Sequence, residues 1–85
     1  MNYYYNYLGL RGSAVTDTGI KHLAKHPALK ELNLRGTKVT DECIATLIQM
    51  KKLRKVWLGE TKVSNSGFAR LMKALPKCRV SLEDQ

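Results

Sequence analysis

The chain has 85 residues, 44% hydrophobic and 26% charged, with two cysteines, a composition that suits one small globular domain and excludes a disordered, collagen-like or disulfide-stapled chain. Fifteen Lys and Arg against seven Asp and Glu leave a formal charge of +8, which favours acidic partners and also keeps a small protein soluble. So short a chain leaves little room for a deep, walled active site, and its apolar runs fall short of the ~20 residues of a membrane span.

The head, Met1-Asn2-Tyr3-Tyr4-Tyr5-Asn6-Tyr7, has neither the basic nor the apolar part of a signal peptide, so a cytoplasmic location is expected. Its rings, on Tyr3, Tyr4, Tyr5 and Tyr7, are expected to cover the N-terminal end of a core while the hydroxyls stay wet, or to join two copies of the chain. Leu8-Gly9-Leu10 follows, and with it a pattern that returns every 24 residues as Leu32-Asn33-Leu34, Val56-Trp57-Leu58 and Val80-Ser81-Leu82. Apolar residues two apart share one face of a short strand. Each of the first three triplets leads into a small turn: Arg11-Gly12-Ser13, Arg35-Gly36-Thr37 and Gly59-Glu60-Thr61. Val15, Val39 and Val63 then return the chain to the core. Thr16, Thr40 and Ser64 are suited to cap helices, because a hydroxyl accepts an orphan backbone N–H. The predicted helices run over Asp17–Lys25, Asp41–Met50 and Asn65–Ala74. Each carries an apolar stripe at i, i+3 and i+4: Ile20-Leu23-Ala24, Ile44-Leu47-Ile48 and Phe68-Leu71-Met72. The matching positions of consecutive units make this an internal repeat.

Leu32-Asn33-Leu34-Arg35-Gly36-Thr37-Lys38-Val39-Thr40-Asp41 resembles the bacterial 24-residue units of the leucine-rich repeat family, and Leu71 to Val80 is similar to the closing unit of such arrays. The resemblance spans about residues 5–82. It implies an α/β fold, a short leucine-rich repeat solenoid with parallel strands on one face and helices on the other. The expected single domain, 1–85, has three full repeats from Leu8, a tyrosine-rich N-terminal cap and a capping strand near 80–82. It further implies that Cys78 plugs the end of the core and that the chain supplies a binding surface.

With the Leu-x-Leu residues inward, three outward columns form on the strands: Gly9, Asn33, Trp57 and Ser81; Tyr7, Glu31, Lys55 and Arg79; Arg11, Arg35, Gly59 and Glu83. Trp57 amid Arg35, Arg11, Asn33, Lys55 and Glu31 has the make-up of a contact site for a protein partner, unknown but suited to being acidic. The rival reading stacks Trp57 on Arg35 or Lys55 as a cation–π pair. Lys21, Lys25, Lys51, Lys52, Arg70 and Lys73 read as solvated helix faces, and a basic surface binding nucleic acid or another polyanion is the alternative function. His22 and His26 sit four apart without a third ligand, so no metal and no cofactor is expected. Cys43 aligns with Gly19 and Gly67 and reads as a buried small hydrophobe. The expected function is that of a non-enzymatic protein–protein interaction module using the strand face. Both edge strands, near Tyr5–Leu10 and Val80–Leu82, are expected to be open and to invite self-association.

Overall fold

A computed structural model describes residues 2–4 as backbone and residues 6–26 and 28–82 in full. Eight elements follow in chain order: β1 (Asn2–Tyr4), β2 (Tyr7–Gly9), α1 (Asp17–Leu23), β3 (Glu31–Asn33), α2 (Glu42–Gln49), β4 (Lys55–Trp57), α3 (Asn65–Ala74) and β5 (Arg79–Ser81). The strands form one sheet in sequence order, with β2 to β5 parallel and β1 antiparallel to β2. Each helix packs against its neighbour in sequence, α1 on α2 and α2 on α3. No helix among the described residues is long and apolar enough to cross a membrane.

The core lies between sheet and helices and is built from the repeated apolar positions. Leu8, Leu10, Leu32, Leu34, Val56 and Leu58 enter it from the strands, and Ile20, Ile44, Leu47 and Leu71 from the helices. The turns repeat as well. Gly12 and Gly36 both sit at φ 72°, the left-handed region where a Cβ is costly. The second and third turns are closed by a hydroxyl: Thr37 Oγ1 donates to the Leu34 carbonyl at 2.7 Å and Thr61 Oγ1 to the Leu58 carbonyl at 2.7 Å.

Several expectations are corrected. The N-terminal edge is not open near Tyr5–Leu10: β1 pairs with β2 through Asn2↔Gly9, Tyr3↔Leu8 and Tyr4↔Tyr7, so backbone hydrogen bonds cover that end. Tyr5 lies outside the described residues. Helix α1 ends at Leu23, not Lys25, because its last turn tightens into i→i−3 bonds such as His26 N–H to the Leu23 carbonyl at 2.9 Å. The last unit does not bury its full stripe. Met72 is 47% exposed and Leu82 42%, whereas their equivalents in earlier units are covered or half-covered. A unit of this kind buries its apolar face against the unit that follows it, and no described element follows β5.

Candidate functional site

The register of the sheet sets the outer face. Tyr7, Glu31, Lys55 and Arg79 align across β2 to β5, and so do Gly9, Asn33, Trp57 and Ser81. The expected columns therefore form, with neighbours about 4.8 Å apart. Arg11 and Arg35 follow in the third column, where the Gly12 N–H donates to the Arg35 carbonyl at 2.8 Å. Glu83, placed in the same column from sequence, lies outside the described residues.

Trp57 is half-buried on this face. The Lys55 ammonium lies 5.1 Å from its ring centroid, so the cation–π pair forms with Lys55. Tyr7 meets the same ring edge-on, at 6.2 Å between centroids and 80° between planes. It reaches there by lying across Gly9: a Cβ at Gly9 would fall 2.8 Å from the Tyr7 hydroxyl. Tyr7 is thus part of the outer face and does not roof the N-terminal end of the core. Tyr3 and Tyr4 lie on β1. The Trp57 indole Nε1 is buried and has no hydrogen-bond partner among the described residues, which costs about 1–3 kcal/mol while it lasts.

Arg35 borders this aromatic pair. Its side chain is only 15% exposed and its Nη2 bonds Glu60 Oε2 at 2.9 Å. It runs over Gly59, where a Cβ would sit 3.3 Å from Arg35 Nε and 2.8 Å from the Leu82 carbonyl oxygen. Asn33 Oδ1 accepts the Arg35 backbone N–H at 3.1 Å, so Asn33 shapes the turn beneath the arginine. Arg11 and Glu31 are exposed. All six residues read as a contact site thus lie in the three columns: Glu31 and Lys55 in one, Asn33 and Trp57 in the next, Arg11 and Arg35 in the third.

Two features were missed in the sequence. Glu60 holds φ 56° where the first two units place Gly12 and Gly36, a left-handed conformation costing ~1–2 kcal/mol for a residue with a side chain. The displaced glycine, one position earlier in the third turn, was the available signal. The second is a ladder of carboxylates between units. Asp17 accepts the Thr40 N–H at 2.9 Å and its hydroxyl at 2.6 Å; Asp41 accepts the Ser64 N–H at 2.7 Å and its hydroxyl at 2.5 Å. These bonds hold the Asp41 carboxyl below the usual range. The capping role expected of the hydroxyls survives in part: Ser64 Oγ accepts from the Gly67 N–H at 3.2 Å and Thr40 Oγ1 from the Glu42 N–H at 3.2 Å, while Thr16 makes no side-chain cap bond.

The remaining candidates fall away from this face. Cys43 is fully buried, and burial first, then the Asp17 and Asp41 charges, pushes its thiol up to about 12, which removes nucleophilic character. Cys78 is buried and its thiol is also raised, chiefly by burial. His22 is exposed on α1 and His26 half-buried after it. Lys21, Lys25, Lys51, Lys52, Arg70 and Lys73 are all exposed. Comparison with known protein families and with curated proteins finds no match for this chain.

Proposed function

We infer that the chain is a short leucine-rich repeat solenoid that serves as a non-enzymatic interaction module, docking a protein partner on the outer strand face. The 24-residue sequence period, the in-order parallel strands β2 to β5 and the in-order helix contacts support the architecture. The observation that carries the functional reading is Trp57: a half-buried tryptophan braced by Tyr7 and Lys55, with a covered indole N–H that lacks an acceptor among the described residues. Rigid aromatic anchors beside arginine dominate protein contacts. An acidic segment suits the surrounding Lys55, Arg35 and Arg11.

The face is small. The whole molecule spans 30 × 25 × 24 Å, and four short parallel strands offer a few hundred Å², below the ~800 Å² per partner of a stable complex. Binding through it alone is therefore weak. The test is a pull-down from the source lysate with wild type and Trp57→Ala side by side, followed by titration of the retained protein. Trp57→Ala is expected to weaken binding about 30-fold, ~2 kcal/mol, with the far-UV spectrum unchanged. Equal retention by both proteins would refute the strand-face reading.

A further inference from the structure

The acidic residues of this molecule gather mostly on one of its two rims, whereas cations stand on both. Of the acidic residues within the described segments, Asp17, Asp41, Glu42 and Glu60 all lie on the strand-to-helix side. Asp17, Asp41 and Glu60 are spent there on Thr40, Ser64 and Arg35. The opposite rim consists of the loops that lead from each helix into the next strand. These loops carry Lys30, Lys51, Lys52, Arg54 and Lys77, all exposed, and the exposed Glu31 and Arg79 open the strands that follow two of them.

Backbone bonds hold these loops side by side. The Arg54 N–H donates to the Lys30 carbonyl at 2.6 Å, and the Arg79 N–H donates to the Arg54 carbonyl at 2.8 Å. Lys30 and Arg54 therefore occupy successive rungs, about 4.8 Å apart, and Arg79, in register with Lys55, follows one position further along. Arg54 is also oriented: its Nη1 donates to the Leu53 carbonyl at 3.2 Å and the Lys51 carbonyl at 3.4 Å. Lys51, Arg54 and Lys77 line one cleft of about 270 Å³ floored by Leu53, Leu75 and Cys78. Lys51 and Lys52 line the adjoining cleft, of about 170 Å³, between the ends of α1 and α2.

We propose that this helix-to-strand rim is a second binding site, one that grips the phosphate backbone of nucleic acid without reading its sequence. A cluster of cations on neighbouring loops, free of ion-pair partners among the described residues, suits closely spaced phosphates. Arginine and lysine contacts to phosphate position a protein and carry no base information. The rim loops lack exposed aromatic side chains, so bases have no stacking platform and specificity has no source. A lipid surface fits less well, since stable membrane attachment needs an inserted apolar group beside the charge. The exposed apolar residues Met72 and Leu82 lie on α3 and after β5, not in the loops.

The test is fluorescence anisotropy with two labelled 20-base-pair DNA duplexes of unrelated sequence, titrated at several salt concentrations. Wild type is expected to bind both equally, with affinity falling steeply as salt rises. Lys51→Gln/Arg54→Gln should bind at least about 10-fold more weakly and show a log–log salt slope smaller by about 2, the contribution of two phosphate contacts. Lys52→Gln/Lys77→Gln, at side chains with no described hydrogen bond, should do the same, which separates lost contacts from a disturbed Arg54 loop. Lys21→Gln/Arg70→Gln removes equal charge from the helix face and should change affinity by less than about 3-fold. Equal weakening by that control would overturn the rim in favour of net charge. Absence of duplex binding at 50 mM salt, or tighter retention on phosphatidylserine vesicles than on duplex, would overturn the proposal as well.

Discussion

Leu34 and Leu82 occupy the same place in their units, yet one is fully buried and the other 42% exposed. Leu34 lies between units on both sides: Leu10 donates its N–H to the Asn33 carbonyl, and Leu34 its own to the Trp57 carbonyl. Leu34→Ala removes three buried carbons, about 2.5 kcal/mol at ~0.8 kcal/mol per group. The residual cavity adds to this, because the Leu34 carbonyl is pinned by both the N–H and the hydroxyl of Thr37 and the backbone resists collapse into the space. The expected cost is about 3–5 kcal/mol, against a total stability of roughly 4–13 kcal/mol for a chain of this length. Urea unfolding followed by far-UV circular dichroism measures it. With a slope of about 1 kcal/mol/M the midpoint falls by about 3 M or the protein is unfolded at the outset. Leu82→Ala, the same chemical change at the exposed equivalent, should cost less than about 1 kcal/mol. Equal costs at the two positions, or a Leu34→Ala loss below 1 kcal/mol, would refute a continuous core that ends at β5.

Glu60 tests the third turn: Glu60→Ala and Glu60→Gly both remove the ion pair with Arg35, but only glycine relieves φ 56°. The glycine variant should therefore be the more stable of the two by about 1 kcal/mol in the same urea assay, and the reverse order would contradict the left-handed turn. Asp41 tests the ladder between units. Its carboxyl is lowered by hydrogen bonds from Ser64, so its contribution is present above the unfolded-state carboxylate pKa and is lost as pH falls through the depressed folded value. Wild type should lose stability from about pH 4 downward more steeply than Asp41→Asn; parallel acid titrations of the two proteins would show that the ladder carries no stability.

Much of this molecule was legible in its sequence, because periodicity is a local property. Alternation within a triplet decides that Leu32 and Leu34 point one way and Asn33 the other, and the 24-residue spacing aligns Tyr7, Glu31, Lys55 and Arg79 before any fold is known. Glycine at positions 12 and 36 marks a turn in the same local way, and the structure gives both φ 72°. What the tertiary structure decided depends on neighbours that a single segment does not contain. Asp17 and Asp41 read as helix-start residues, but only stacking brings each carboxylate onto the hydroxyl of the next unit. The apolar pattern of Phe68, Leu71, Met72 and Leu82 is as regular as that of earlier units, yet burial requires a surface to pack against, and Met72 and Leu82 have none among the described elements. Tyr7 and Trp57 stand on strands separated by β3, and their contact exists because Gly9 leaves a ring-sized space on a parallel sheet. The gathering of Lys30, Lys51, Lys52, Arg54 and Lys77 on one rim is likewise a consequence of how helix-to-strand loops align when the strands pair in order, not of any run of charge along the chain.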